Sequence, residues 1–231
     1  MTIGIVVALP EELSTLSPVK LARGEVFSSQ PHIKICLSGA GHNNARLAAQ
    51  KLLEQGATQL ISWGCAAALA PHLKSGDLII TSQVIAKGQS IENTHQWAEQ
   101  ISGLLGVKQS LSGHALASNY GLISSSIEKQ GLYTETAAVA LDMESAAVAS
   151  IAHEAHCPFV AIRAIADPAA MSLPPAILKA LNPEGEVVLG ILLKHLLSHP
   201  WEIPALIKLG WHFNAAQKTL RGVAKQLEQM C

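Results

Sequence analysis

Apolar residues in this chain come in short runs, separated by stretches in which apolar positions recur every three or four residues. The runs predict strands near Ile3–Leu9, Ile33–Leu37, Gln59–Trp63, Leu78–Thr81 and Phe159–Ala164. The helical periods predict helices near Asn43–Gln55, Asn119–Gln130, Met143–Ala155 and Val187–Leu197, then a long one from about Ile203 to Gln229. Gly56 suits the end of the first helix, and Asp142 suits the N-cap of the third, where its carboxylate would accept from first-turn amides. Strands alternating with helices give an α/β class, a sheet with helices on both faces. The stretch 86–111 is the weakest to assign and is expected to contain a loop that varies with substrate.

Composition narrows this picture. The 231 residues suffice for one domain around one core. They are 49% hydrophobic and only 14% charged, against about 25% charged in an average soluble domain. The surplus apolar surface must meet a buried sheet, a subunit interface or lipid. Sixteen basic and 17 acidic residues leave a net charge of −1, so no broad positive field holds a nucleic-acid backbone. Cys36, Cys65, Cys157 and Cys231 are far apart and form no C-x-x-C pair, which argues against a disulfide framework or a zinc cluster and fits a reducing compartment. The run Ile3–Leu9 has no basic segment before it and reads as a first strand, not a signal peptide. No window approaches the roughly 18 uninterrupted apolar residues of a spanning helix. A cytoplasmic protein is expected.

In open α/β sheets ligands bind beyond the carboxyl ends of the strands, and three places there carry suitable chemistry. Glu11 and Glu12 follow the first strand; a partly buried carboxylate could activate water, or the pair could simply start a solvated helix. Ser38-Gly39-Ala40-Gly41 follows the second strand, and its glycines would let a ligand approach the backbone. It is not a dinucleotide fingerprint, because Asn44 occupies the third glycine position. The companion turn Trp63-Gly64-Cys65-Ala66-Ala67-Ala68 fits either a ligand lying against the chain or tight packing. Asp142-Met143-Glu144-Ser145 and, further on, Asp167-Pro168 form the third place. Glu144 could accept hydrogen bonds from a vicinal diol and Asp167 could deliver a proton to a leaving group; helix-end stabilisation and an Asp-Pro turn are the plainer alternatives. His153 and His156 lack a third ligand and read as packed or exposed histidines.

Taken together and in order, these segments resemble the purine nucleoside phosphorylase and nucleosidase superfamily. The likeness runs over residues 3 to 170, through Ser38-Gly39-Ala40-Gly41, Gly64-Cys65-Ala66-Ala67-Ala68, Asp142-Met143-Glu144-Ser145 and Arg163-Ala164-Ile165-Ala166-Asp167. It implies a three-layer α/β/α domain with a central mixed, mostly parallel sheet. The start is similar to the methylthioadenosine/S-adenosylhomocysteine nucleosidases, since Glu12 matches their water-activating glutamate. By that resemblance Glu12 and Asp167 are catalytic, the second protonating or hydrogen-bonding purine N7. Glu144 would hold the ribose hydroxyls, with Met143, Ala40 and Cys65 beside the sugar, and Leu116 and Ala117 would match the adenine-contacting segment, Leu116 standing where an aromatic is usual. Ser62 occupies the place of an arginine carried by the phosphorylases, so water is favoured over phosphate as nucleophile, although Arg46 or Arg163 could reach an anion. No cofactor or metal is implied, with inorganic phosphate as the alternative co-substrate.

The tail adds a narrower likeness. Ala166-Asp167-Pro168-Ala169, Leu173-Pro174-Pro175-Ala176 and Pro204-Ala205-Leu206 resemble the hopanoid-associated nucleoside phosphorylases, which implies removal of adenine from adenosylhopane. Residues 1–200 would form the nucleoside-cleaving domain and 201–231 an amphipathic helical extension, packed on that domain or at an interface. Trp201, Ile203, Leu206, Ile207, Leu209, Trp211 and Phe213, interleaved with lysines, would suit a peripheral contact with the inner membrane face or a subunit partner. The resemblance also implies a homo-oligomer acting on a small or lipid-linked adenine nucleoside. A non-catalytic nucleoside-binding protein and a membrane scaffold are the rival readings.

Overall fold

Strand β4 (Gln59–Ala68) is the hub of the sheet in the computed structural model, which describes residues 1–93, 95–105, 114–118, 121–182 and 187–228. It runs parallel to β1 (Ile3–Val7) over Gln59–Trp63 and parallel to β10 (Phe159–Asp167) over Leu60–Ala67, and meets β9 (Ala140–Asp142) antiparallel at Ala67 and Ala68. All nine residues of β10 are buried, as expected of a central strand covered on both faces. The sheet continues from β1 through β3 (Ile33–Leu37) to β2 (Val26–Gln30), and from β9 through β8 (Leu116–Ser118) and β6 (Gln83–Ala86) to β7 (Gln89–Glu92); β5 (Leu78–Thr81) pairs antiparallel with β10. The sheet is mixed, and its parallel pairs are β1–β3, β1–β4, β4–β10, β6–β8 and β8–β9.

The two faces of the hub follow the twofold alternation of strands. Leu60, Phe159, Ala161 and Ile165 pack on one face with Ala45, Ala49 and Leu52 of α2 (His42–Glu54) and Val148 and Ile151 of α5 (Ser145–Glu154). Ile61, Trp63, Val160 and Ile162 pack on the other face with Ile101 of α3 (His95–Leu104) and Ala216, Leu220 and Val223 of the last helix. Small residues on α2 and α5 let these helices approach each other and the sheet closely. The α/β/α layering expected from the sequence is therefore present.

Several boundaries differ from expectation. Stretch 86–111, expected only to contain a loop, holds β7 and α3, and residues 94 and 106–111 lie outside the described residues. The helix expected over 119–130 is α4 (Ser126–Thr136), started by a capping box in which Ser125 Oγ accepts from Glu128 N and Glu128 in turn accepts from Ser125 N. Residues 119 and 120 are outside the described set. Asp142 is not the N-cap of α5. It ends β9, and the helix begins two residues later than expected, with Glu144 at the cap position, although Asp142 still accepts from Ser145 N.

Beyond β10 the chain forms α6 (Pro175–Ala180), α7 (Leu189–Ser198), a 3-10 turn (Pro200–Glu202) and α8 (Ile203–Glu228). Glu202 ties this region together by accepting from Ala176 N at 2.7 Å and contacting His195 Nε2 at 2.9 Å. Ala216, Leu220, Val223, Ala224 and Leu227 are buried in the main core, whereas Leu197, Trp201, Ile207 and Trp211 are exposed. No helix among the described residues is long and apolar enough to cross a membrane.

This division of α8 sets an expected outcome. Leu220→Ala, at a fully buried position, should cost about 2–5 kcal/mol. Ile207→Ala, at a half-exposed one, should stay within about 0.5 kcal/mol. Urea unfolding of both variants checks this.

Candidate active site

Strand β4 changes neighbours between Trp63, the last residue paired with β1, and Ala67, the first paired with β9. In this interval the Cys65 N–H donates to Glu12 Oε1 at 2.7 Å. Glu12 lies on the short helix α1 (Pro10–Leu13) directly after β1, and its Oε2 accepts from Leu9 N at 3.1 Å. The carboxylate is thus folded over the strand ends and is buried, which excludes a solvated helix start.

Gly64 is what makes room for it. A Cβ built there would stand 2.5 Å from Arg163 Nη1 and would collide with the Glu12 carboxylate. Arg163 lies directly across from Gly64 in the β4–β10 register. Its buried guanidinium pairs with Asp142 Oδ2 at 2.6 Å and donates to Ser62 Oγ at 2.6 Å and Ser145 Oγ at 3.1 Å. Ser62 therefore receives a guanidinium instead of supplying a cation. Burial opposes the Arg163 charge, but Asp142, Glu12 and Glu144 together outweigh it and raise its pKa further.

Glu144 connects this cluster to the second loop. Its Oε1 accepts from Gly41 N at 2.8 Å, so that amide is committed to a side chain rather than waiting for an anion. Gly39 and Gly41 have φ of 83° and 95°, which other residues rarely adopt, and so the loop can turn its backbone toward Glu144. Burial, reinforced by the neighbouring Asp142 charge, pushes the Glu144 carboxyl up to about 7. Burial likewise raises Glu12, with Arg163 and the Cys65 and Leu9 amides pulling back.

The third acid stands at a bulge. Ile165 pairs with Ala66 and Asp167 with Ala67, leaving Ala166 as the extra residue. Asp167 Oδ2 pairs with Lys129 Nζ at 2.6 Å, while Oδ1 is buried without a hydrogen-bond partner. Burial raises the Asp167 carboxyl, with Lys129 and, more weakly, His212 opposing.

Glu12, Ala40, Cys65, Met143, Glu144 and Asp167, six of the residues singled out in the sequence, line one cavity of about 530 Å³. Leu116 and Ala117 do not. Leu116 is fully buried among Val84 and Ala140, and Ala117 packs on Leu69 and Leu141. They are the first two residues of β8, and the cavity wall includes instead Gly121, Leu122 and Ile123 further along the chain. Sequence reasoning missed Asp142 as partner of Arg163, and missed Lys129 entirely. A lysine on a largely polar helix gives no sign that it is buried. Arg46 is exposed on α2, away from the cavity, as are His153 and His156 on or just beyond α5. Among the described residues no lysine or arginine side chain lines the cavity.

The phosphorylase superfamily model matches residues 2–120 and 115–178. A Streptococcus pyogenes S-adenosylhomocysteine nucleosidase in complex with 5-methylthiotubericidin shares the fold at a TM-score of 0.71, with 20% identity over 100% of this chain and 98% of the other. A 5′-methylthioadenosine/S-adenosylhomocysteine nucleosidase from Neisseria meningitidis in complex with methylthio-immucillin-A matches at 0.70, with 20% identity over 99% of both chains. The futalosine hydrolase of Helicobacter pylori matches at 0.70, with 19% identity over 99% of this chain and 96% of the other.

Two outcomes are expected from this geometry. Gly64→Ala should destabilise the protein by about 1–3 kcal/mol through overpacking, measured by denaturant unfolding. Glu144 has a folded-state value of about 7 against an ordinary 4.5. A raised carboxyl binds its proton more tightly when folded, so its share of stability is complete below 4.5 and lost as pH rises through 7. Tm recorded across that interval should fall less steeply with pH for Glu144→Gln than for the unaltered protein.

Proposed function

This chain belongs to the phosphorylase superfamily, and on that premise we propose that it cleaves the N-glycosidic bond of an adenine nucleoside with water as the nucleophile. The observation that carries this reading is the convergence of Glu12, Glu144 and Asp167 on one cavity. Glu12 takes a proton from water as its oxygen bonds to the anomeric carbon. The bond from that carbon to purine N9 breaks, the ribosyl ring passes through an oxocarbenium-like state, and Asp167 gives a proton to N7 of the departing adenine. Glu144, with Oε1 held by Gly41, presents its other oxygen to the ribose hydroxyls. Burial raises both Glu12 and Asp167 toward the working range of acid-base catalysts.

The choice of water rests on charge. A phosphate nucleophile would need cations, yet the described cavity wall has none and Arg163 is already bound to Asp142, Ser62 and Ser145. The rest of the wall includes Leu9, Leu122, Ile123, Leu173, Leu181 and Phe213, which favours an apolar 5′ substituent. We extend the reading to a lipid-linked substrate such as adenosylhopane. The exposed Leu197, Trp201, Ile207 and Trp211, beside the exposed Lys194 and Lys208, support a peripheral contact of α7 and α8 with an anionic membrane surface. Burial of this face against a second copy of the chain is the competing reading. Mass in solution and sedimentation with phosphatidylglycerol vesicles separate the two.

The catalytic test is release of adenine from adenosine, methylthioadenosine and an adenosine carrying an apolar 5′ group, with and without phosphate. Release independent of phosphate is expected; release only with phosphate overturns the hydrolytic reading. Asp167→Asn should lower kcat about a hundredfold or more with little change in KM. Unchanged adenine release from that variant refutes the assignment.

A further inference from the structure

Lys129 is fully buried on α4 yet lies off the cavity wall. Its ammonium has three N–H groups, and three acceptors surround it: Asp167 Oδ2 at 2.6 Å, Met171 O at 2.8 Å and Pro168 O at 3.1 Å. Met171 and Pro168 fix the ammonium in place, and the ammonium in turn fixes one oxygen of Asp167. The other oxygen, Oδ1, is buried with no partner in a residue that lines the cavity. A buried carboxyl oxygen left without a hydrogen-bond partner costs free energy, and a purine N7 entering the cavity would supply the acceptor for a protonated Oδ1.

We propose that Lys129 is a positioning residue for adenine release: it anchors Oδ2 so that Oδ1 alone is presented to purine N7, and its charge stabilises the carboxylate left when Asp167 gives up its proton. The step balances. The proton moves from Oδ1 to N7, the electron pair of the glycosidic bond goes to the purine, and the new negative charge appears beside an ammonium already in place. Stabilising charge where it develops, with no reorganisation at the moment of reaction, is the most effective use of such a group.

Other charges face the same carboxyl. His212 on α8 acts on it weakly, with its Nδ1 2.6 Å from Ser75 Oγ; Glu12, Glu144 and Asp142 line the cavity and Arg163 lies behind them. Lys129 opposes the burial that raises Asp167, and burial in turn lowers Lys129. Both partners are thus drawn toward neutrality. Removing the ammonium therefore leaves Asp167 holding its proton to higher pH, although the carboxylate it must become is then less stable.

The inference rests on Asp167 being the proton donor, a reading tested separately by the wild-type and Asp167→Asn assays. Lys129→Met should lower kcat about tenfold or more with a smaller change in KM. It should also move the alkaline limb of the kcat profile to higher pH, which a merely structural role would not do. A kcat within about twofold of wild type, or a fall in kcat with the limb unmoved, overturns the proposal. A second comparison does not depend on Lys129→Met folding. Adenine affinity by calorimetry should agree within about twofold between Asp167→Asn and Lys129→Met/Asp167→Asn, because a residue acting through Asp167 has nothing left to act through. A further loss of affinity in the double variant, or its failure to fold, would show that the ties to Pro168 and Met171 are the residue's real role.

Discussion

The buried guanidinium of Arg163 is the constraint around which the rest is arranged. Burying a charge is costly unless it is paired and hydrogen-bonded, and Arg163 has Asp142, Ser62 and Ser145 as direct partners. It is also the cation that allows Glu12 and Glu144 to be buried close by, since both carboxyls are raised by burial and pulled back by its charge. Removing it would leave several acids competing for the same low-dielectric space, and some of them would have to take up protons. All three of its direct contacts are made by Nη2, while Nε is buried without a hydrogen-bond partner.

Backbone geometry delivers the acids to that cation. The register of β4 and β10 sets Arg163 opposite Gly64, and the absence of a side chain at Gly64 lets Glu12 fold over the strand ends. The bulge at Ala166 comes at the very end of β10, one residue before Asp167. A bulge breaks the strict alternation of side chains, and so re-aims the residues beyond it. Glu12, Glu144 and Asp167 are thus brought to one cavity by three different devices: a short helix after a strand, a helix cap and a strand irregularity. None depends on a long loop.

Much of this arrangement was legible in the sequence, for particular reasons. The buried strands β1, β3, β4, β5 and β10 announce themselves as apolar runs. Strands β8 and β9 are only three residues long, too short for a period to register, and β7 is a polar edge strand, Gln89–Glu92. The start of α4 was legible but overlooked, because Ser125 followed three residues later by Glu128 is a capping box. Glu12, Glu144 and Asp167 were identifiable as acids after strands. Leu116 and Ala117 lie off the cavity wall, because resemblance gives alignment along the chain, not the direction a side chain takes from a strand. Lys129 and Asp142 were invisible as partners because their contacts lie 38 and 21 positions away along the chain. Only folding reveals which charges are neighbours.

The cavity has acids on its wall and no lysine or arginine among its described residues, and this bears on which molecules it turns away. Adenine nucleotides carry the same base and sugar as a nucleoside, but also a phosphate. Entering this pocket would place that anion beside acidic side chains with no lysine or arginine on the described wall to receive it, an unfavourable exchange for the water it gives up. On the proposed reading, the described wall would therefore favour an uncharged nucleoside over its phosphorylated counterpart.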